Sequence, residues 1–497
     1  MMEFSRRAVI AGGAAGLGVG LLSGGGHRAR AATPPRVRSS AHSKEGKEML
    51  GIYAGAVKTM MEWDQKWKGD PRSWQFQWYT HSLPGADKLG PDVARQQAIN
   101  EVYGAGATVP HAILAGEMWA TCQPHYSTRN DDFLPWHRMY VWYFEAIIAS
   151  VSGEPAFALP YWDYTNPDAQ TLPEEFRRPS SVDPKFGALF RETRNSWVNL
   201  GQSITTGGTV KHPPAALNLN SMNEPDYSGN YGFCKLLESG LHGSVHDFTG
   251  NETGMGAVTT AAGDPIFWLH HCNVDRVWAG WNKAGGQNPS DPAWEARTYV
   301  FVNGEGDRVT PRIGDVLDIA SLGYAYDVLP VPPKPQSLVA GTPRRLTGIT
   351  LATASLATTS LNDTRIIVNL DRPADSKNTS FMERLKDMGS GVKLYVSFRG
   401  LSVHGATDAN IDVYLNKRYD TGTDDAHFVD NVGFFGTEGH GHAGHEGMAE
   451  QEASFEVTEL MATLAQLGLN EEPTLVLVPS GTDTGDPRIE SVDLVAR

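Results

Sequence analysis

A chain of 497 residues is too long for one ordinary domain and predicts two or three, with apolar residues, 40% of the total, sufficient for a sizeable core. The formal net charge of −15 argues against nucleic acid as a partner, because phosphate backbones are bound by clustered Lys and Arg. Three cysteines cannot all pair internally and are too few for a disulfide framework.

At the N-terminus, Ser5-Arg6-Arg7 precedes an apolar, glycine-rich run over 8–22, and Ala29-Arg30-Ala31 offers a small-residue cleavage site. The run is about fifteen residues, short of the roughly twenty that a spanning helix needs, so no stable membrane anchor is expected. Residues 1–32 resemble a twin-arginine signal peptide, which implies export of an already folded protein to the periplasm or beyond. Residues 33–328 read as a mainly α domain, a helical bundle in which 133–150 and 264–283 carry clear helical periodicity. The stretch Leu329-Pro330-Val331-Pro332-Pro333-Lys334-Pro335 is poor in backbone donors and favours extended geometry, so 329–345 is expected to be a stiff linker. Beyond it, 364–370, 392–398, 411–415, 454–457 and 474–478 are rich in β-branched and aromatic residues between turn signals. They predict a smaller all-β, sandwich-like C-terminal domain over 346–497. The one low-complexity patch holds His440, His442 and His445, read either as a metal-capturing loop or as a flexible loop with no metal role.

The chemistry lies in the histidines, because neutral imidazole is a good ligand for copper and zinc. His242 and His246, four apart on a predicted helix, project from one face and can grip one ion. Asp264-Pro265 is a helix start, with Asp capping free N–H groups and Pro where no donor is lost. His270-His271 follows. Adjacent helical residues diverge by about 100°, so one of the two is expected to face the ion held by His242 and His246. His271 is chosen, since Asp275 and Trp278 continue its face. Asp275 is read either as orienting that ligand or anchoring Arg276, or as pairing with a structural arginine. His137 enters a helix that is apolar nearly all round and is therefore buried, as a ligand or as a hydrogen-bonded core histidine.

Phe133-Leu134-Pro135-Trp136-His137-Arg138 with Glu145, and Asp264-Pro265-Ile266-Phe267-Trp268-Leu269-His270-His271 with Asp275-Arg276, resemble the two copper motifs of tyrosinases and polyphenol oxidases. Asp70-Pro71-Arg72-Ser73-Trp74 leading to Thr80-His81 is similar to the segment that delivers the first ligand of the first copper in plant-type polyphenol oxidases. Leu322-Gly323-Tyr324-Ala325-Tyr326 resembles the tyrosine motif that closes their catalytic domain, and Ile411-Asp412-Val413-Tyr414-Leu415-Asn416 is similar to a strand of their C-terminal domain. The resemblance implies two copper ions per chain, the first held by His81, His125 and His137 and the second by His242, His246 and His271. His125 stands further before His137 than is usual in the family, and His111 competes for that place. Some relatives bond a cysteine sulfur to a ligand imidazole. Here Ser82 and Gly85 occupy the positions where the plant pattern has cysteine, which leaves Cys122 as a substitute or as a plain buried thiol.

Two copper ions a few ångströms apart can pass two electrons to dioxygen, and the implied reaction is oxidation of o-diphenols to o-quinones. The expected partners are small phenols and oxygen. Monophenol hydroxylation in the family uses an Asn after the first ligand of the second copper, where this chain has Gly243. Glu238, one turn before His242, is read as a water-holding group or as a solvated helix carboxylate. Val258 stands where some plant enzymes have a bulky aromatic gate, which argues for a wider pocket and for o-aminophenols among the substrates. His270 is placed beside the pocket. The alternative is oxygen carriage, as in hemocyanins. A zinc hydrolase is disfavoured, because the chain has no His-Glu-x-x-His pattern.

Overall fold

Two buried helices, Phe133–Ser152 and Ile266–Lys283, pack against each other at the centre of the helical part. Both form where periodicity predicts them, and their ends follow local chemistry. The Asp264 carboxylate accepts the Ile266 N–H at 3.1 Å, and the first helix stops at Gly153, whose φ of +73° suits a residue without Cβ. The structure, a computed structural model, describes residues 35–497 except 124–129, 209–211, 334–347, 358, 360, 362–364, 373–379, 389–390, 404–408, 417–424, 438–450, 467–471 and 481–486. His125, the patch of His440, His442 and His445, the signal-like segment and most of the linker lie outside the described residues.

Around the central pair stand Lys44–Lys66, capped by the Ser43 hydroxyl, and Trp74–His81, capped by Ser73. Trp268 stacks on Phe144 at 3.4 Å and Tyr140 packs on Trp268, so large aromatics fill the space between helices. A buried ionic network staples the pair. Arg38, at 0% exposure, donates to Glu145 and Asp275 and lies 3.8 Å over the Tyr324 ring. Asp275 also takes Arg138 and the hydroxyls of Tyr324 and Tyr326. Parallel pairing of Arg36–Arg38 with Tyr324–Tyr326 brings the start of the described chain to the tyrosine motif. Burial pushes the Asp275 carboxyl up, but Arg138 and Arg38 outweigh it and hold the group below its ordinary value. Of the readings of Asp275, pairing with a structural arginine is the one that holds, through both Arg38 and Arg138. Asp275 neither orients His271 nor pairs with Arg276, whose guanidinium goes to Asp163, Asn273 and the Val328 carbonyl.

The C-terminal part is two four-stranded antiparallel sheets over its own core, the sandwich-like arrangement expected. One runs in the order Glu452–Glu456, Leu394–Arg399, Ser491–Ala496, Ile349–Ser355. The other runs Ile366–Asn369, Thr474–Ser480, Asn410–Leu415, Phe428–Gly433. Two short helices, Phe381–Met388 and Thr458–Gln466, accompany the sheets. The described end of the linker lies on the helical part, where a Cβ at Gly280 would meet the Pro330 carbonyl oxygen at 2.6 Å. No helix among the described residues is long and apolar enough to cross a membrane.

The two parts meet through buried polar contacts as well as apolar ones. His212 stacks on Phe248 and contacts Asp412 at 3.0 Å, Asn218 donates to Asp430, and Glu224 accepts from Tyr395 and Lys393. Burial raises the Asp430 carboxyl to about 7, with Asp412 adding to the rise and the Asn218 amide and Asn431 N–H opposing it.

Two outcomes follow from these contacts. Asp275→Ala leaves Arg38 and Arg138 buried against one fewer carboxylate, and should cost about 3–5 kcal/mol in a denaturant titration. Asp430 is held protonated in the fold, so its contribution is complete below its ordinary value of 3.8 and is lost as pH rises through about 7. Stability should fall across that window, and Asp430→Asn should flatten the fall in melting temperature measured against pH.

Candidate metal centre

His81 is the last residue of Trp74–His81, and the chain at 120–122 runs beside it. Ala120 adopts φ +52°, and the N–H groups of Ala120, Thr121 and Cys122 donate to the carbonyls of Tyr79, Thr80 and His81. His137, in the first turns of Phe133–Ser152, faces His81 with ring centres 5.7 Å apart. Each ring is oriented by the backbone. His81 Nδ1 donates to the Val258 carbonyl at 3.1 Å, and His137 Nδ1 to Phe133 at 2.8 Å. A carbonyl only accepts, so the proton belongs on Nδ1 and the lone pair on Nε2, as in a metal-ligating histidine. Cys122 Sγ lies 3.6 Å from His137 Nε2, and one donor atom from each of His81, Cys122 and His137 falls within 4.8 Å of the others.

The second cluster repeats this logic. His242 Nδ1 donates to the Glu238 carbonyl at 3.0 Å and His246 Nδ1 to Met255 at 2.8 Å. The two rings stand 4.7 Å apart, on a wide π-type turn Glu238–His242, kinked at Gly240, that leads into helix Gly243–Thr249. His271 lies between the clusters, stacked on His137 at 4.2 Å and 5.2 Å from His242. Here a sequence expectation fails. His270 also belongs to this cluster, and donor atoms of His242, His246, His270 and His271 lie within 4.8 Å of one another. The 100° divergence did not separate the two rings because Ile266–Lys283 is buried nearly all round and His242 and His246 approach it between them.

Burial governs the electrostatics. It depresses His270 to about 3 and, with the neighbouring imidazoles, holds His271 well below its ordinary value, so both rings are neutral. Burial, and then the Glu238 carboxylate, pushes the Cys122 thiol well up. Neither ring nitrogen of His270 or His271 has a hydrogen-bond partner, a cost of about 1–3 kcal/mol for each buried polar group that a metal ion would offset. Neutral nitrogen donors with backbone-fixed tautomers fit copper.

The other expected residues fall into place unequally. Glu238 is fully buried, which overturns its reading as a solvated carboxylate. Gly243 is buried directly after His242, and Val258 sits on the rim with its carbonyl turned to His81. His111 is exposed, in the first turn of Pro110–Met118. Sequence reasoning missed Phe435. This residue of the C-terminal part stacks on His246 at 3.8 Å and 9°, with its ring 5.6 Å from His242. Close approach is possible because Gly433 has no Cβ; one there would meet Asp247 Oδ2 at 2.2 Å. Nothing local in Phe434-Phe435-Gly436 marks it, since the contact joins segments far apart in the chain.

Residues 71–284 match the family model described as the common central domain of tyrosinase. Tyrosinase HcTyr1 of Hahella sp. is 28% identical over 416 residues, covering 79% of this chain and 83% of the relative. Polyphenol oxidase E of Solanum lycopersicum is 27% identical over 503 residues, covering 93% and 77%. In fold, the chain is similar to latent apple tyrosinase, with a TM-score of 0.60 at 21% identity over 94% of this chain and 98% of that one. Motifs, imidazole clusters and these likenesses agree: residues 71–284 carry the common central domain of tyrosinase, and the chain is a phenol oxidase with two copper ions at a type 3 site.

Proposed function

We propose that the protein oxidises o-diphenols, and o-aminophenols where they fit, to the corresponding o-quinones and quinone imines, with dioxygen as electron acceptor. The observation that carries this reading is the convergence of His81, His137, His242, His246 and His271 in one buried region, four of them with Nδ1 tied to a backbone carbonyl. His81, His125 and His137 would hold the first copper, and His242, His246 and His271 the second. When bound, the copper pair carries electrons from phenol to oxygen, two diphenols and one dioxygen giving two quinones and two waters. The chain's own residues orient and exclude. Carbonyl-bonded Nδ1 groups fix the direction of each lone pair, while Phe133 and Phe267, at 0% exposure, keep water from the imidazoles. Val258 on the rim leaves room for a substituted ring, and Gly243 offers no side-chain amide for a water, so the reading commits to diphenols. Monophenol hydroxylation would then fall to a water held by the buried Glu238.

The same reading covers regulation and place. The C-terminal domain over 346–497 would keep the enzyme latent by seating Phe435 on His246, and the linker over 329–345 would be its cleavage point. Residues 1–32 would direct export of the folded, copper-loaded chain.

Oxygen uptake by the copper-loaded protein, with catechol, tyrosine and o-aminophenol, before and after limited proteolysis near residues 330–335, tests this. Uptake with catechol should rise after cleavage. No uptake from any substrate despite two bound copper ions would favour oxygen carriage instead. Phe435→Ala and, independently, Gly433→Ala, which forces the Phe435 segment away from Asp247, should raise catechol uptake several-fold without proteolysis.

A further inference from the structure

The first pair of ligands at the second site is placed by one helix, but two candidates compete for the third place, and geometry does not rank them as sequence does. His270 lies 4.7 Å from His246 and 5.2 Å from His242, whereas His271 lies 5.8 Å and 5.2 Å from the same rings. His271 is committed elsewhere as well, since it stacks on His137 of the first cluster at 8°. His270, at 0% exposure, has no hydrogen-bond partner for either ring nitrogen and is backed by Tyr164 at 5.4 Å. A structural core histidine satisfies at least one nitrogen, and this one satisfies neither.

We propose that His270 is a fourth imidazole donor of the second copper site, able to hold the ion together with His242 and His246 when His271 lets go. The proposal rests on the assignment of His242 and His246 as ligands. It gives the Ile266–Lys283 helix two adjacent donors with different tasks. His271, facing both clusters, would ligate beside His137, and His270, against His242 and His246, would retain the second ion. Copper loading and release would therefore pass through a state with His242, His246 and His270 as the protein donors.

The test counts copper rather than activity. Full-length wild type, His270→Asn, His271→Asn and the double variant are loaded and dialysed against a copper(I) chelator, and copper per chain is followed with time. The wild type should retain two ions, the count expected of the family. His271→Asn should still retain its second ion at the first time point, losing it several-fold faster than wild type, and the double variant should retain one ion only. His270→Asn alone should release the second ion several-fold faster than wild type. If His271→Asn already holds one ion, or if the double variant matches His271→Asn, the proposal is overturned. His270→Phe, alone and with His271→Asn, keeps ring bulk and carries the same comparison should His270→Asn not fold, as judged by its melting curve. A wild type that binds no copper would overturn the ligand assignment itself, an outcome separate from any difference between variants.

Discussion

The structure depends on a charge network buried between two helices. Asp275, on one helix, gathers Arg138 from the other, Arg38 from the opening strand and two tyrosine hydroxyls from the closing one. Arg38 turns back to Glu145, so carboxylates and guanidiniums alternate across the helix pair. Such a network is costly to desolvate and stable only when each charge has its partner, which makes it a device for one register. That register sets how far His137 on one helix lies from His270 and His271 on the other.

With the helices fixed, the imidazoles are positioned by backbone rather than by one another. Four of them give Nδ1 to a carbonyl, two within their own helical turn and two to the loop segments at Met255 and Val258. The loop that carries Met255 and leads into Val258 therefore orients a histidine of each cluster. A low-polarity interior does the rest, since buried imidazoles stay neutral and keep a lone pair for metal.

The second cluster is also contacted from the other end of the chain. The strand Phe428–Gly433 is held by Asp430 on Asn218, with Asp412 of the neighbouring strand against His212, and the chain just beyond it brings Phe435 onto His246. Polar contacts with sizeable desolvation terms, one of them a carboxyl raised to about 7, are easier to loosen than an apolar seam.

The sequence by itself determined the helices of 133–150 and 264–283, five strands of the tail and the tyrosine motif. These are readable because periodicity, caps and motif spacing are local properties. Strands 349–355, 428–433 and 491–496 escaped it, their burial being decided by sheet neighbours. Tertiary structure alone decided which arginines Asp275 serves, that Glu238 is buried, that both His270 and His271 join one cluster, and that Phe435 covers it. Each depends on which surfaces meet across long stretches of chain, a matter of packing that neither helical angle nor residue type contains.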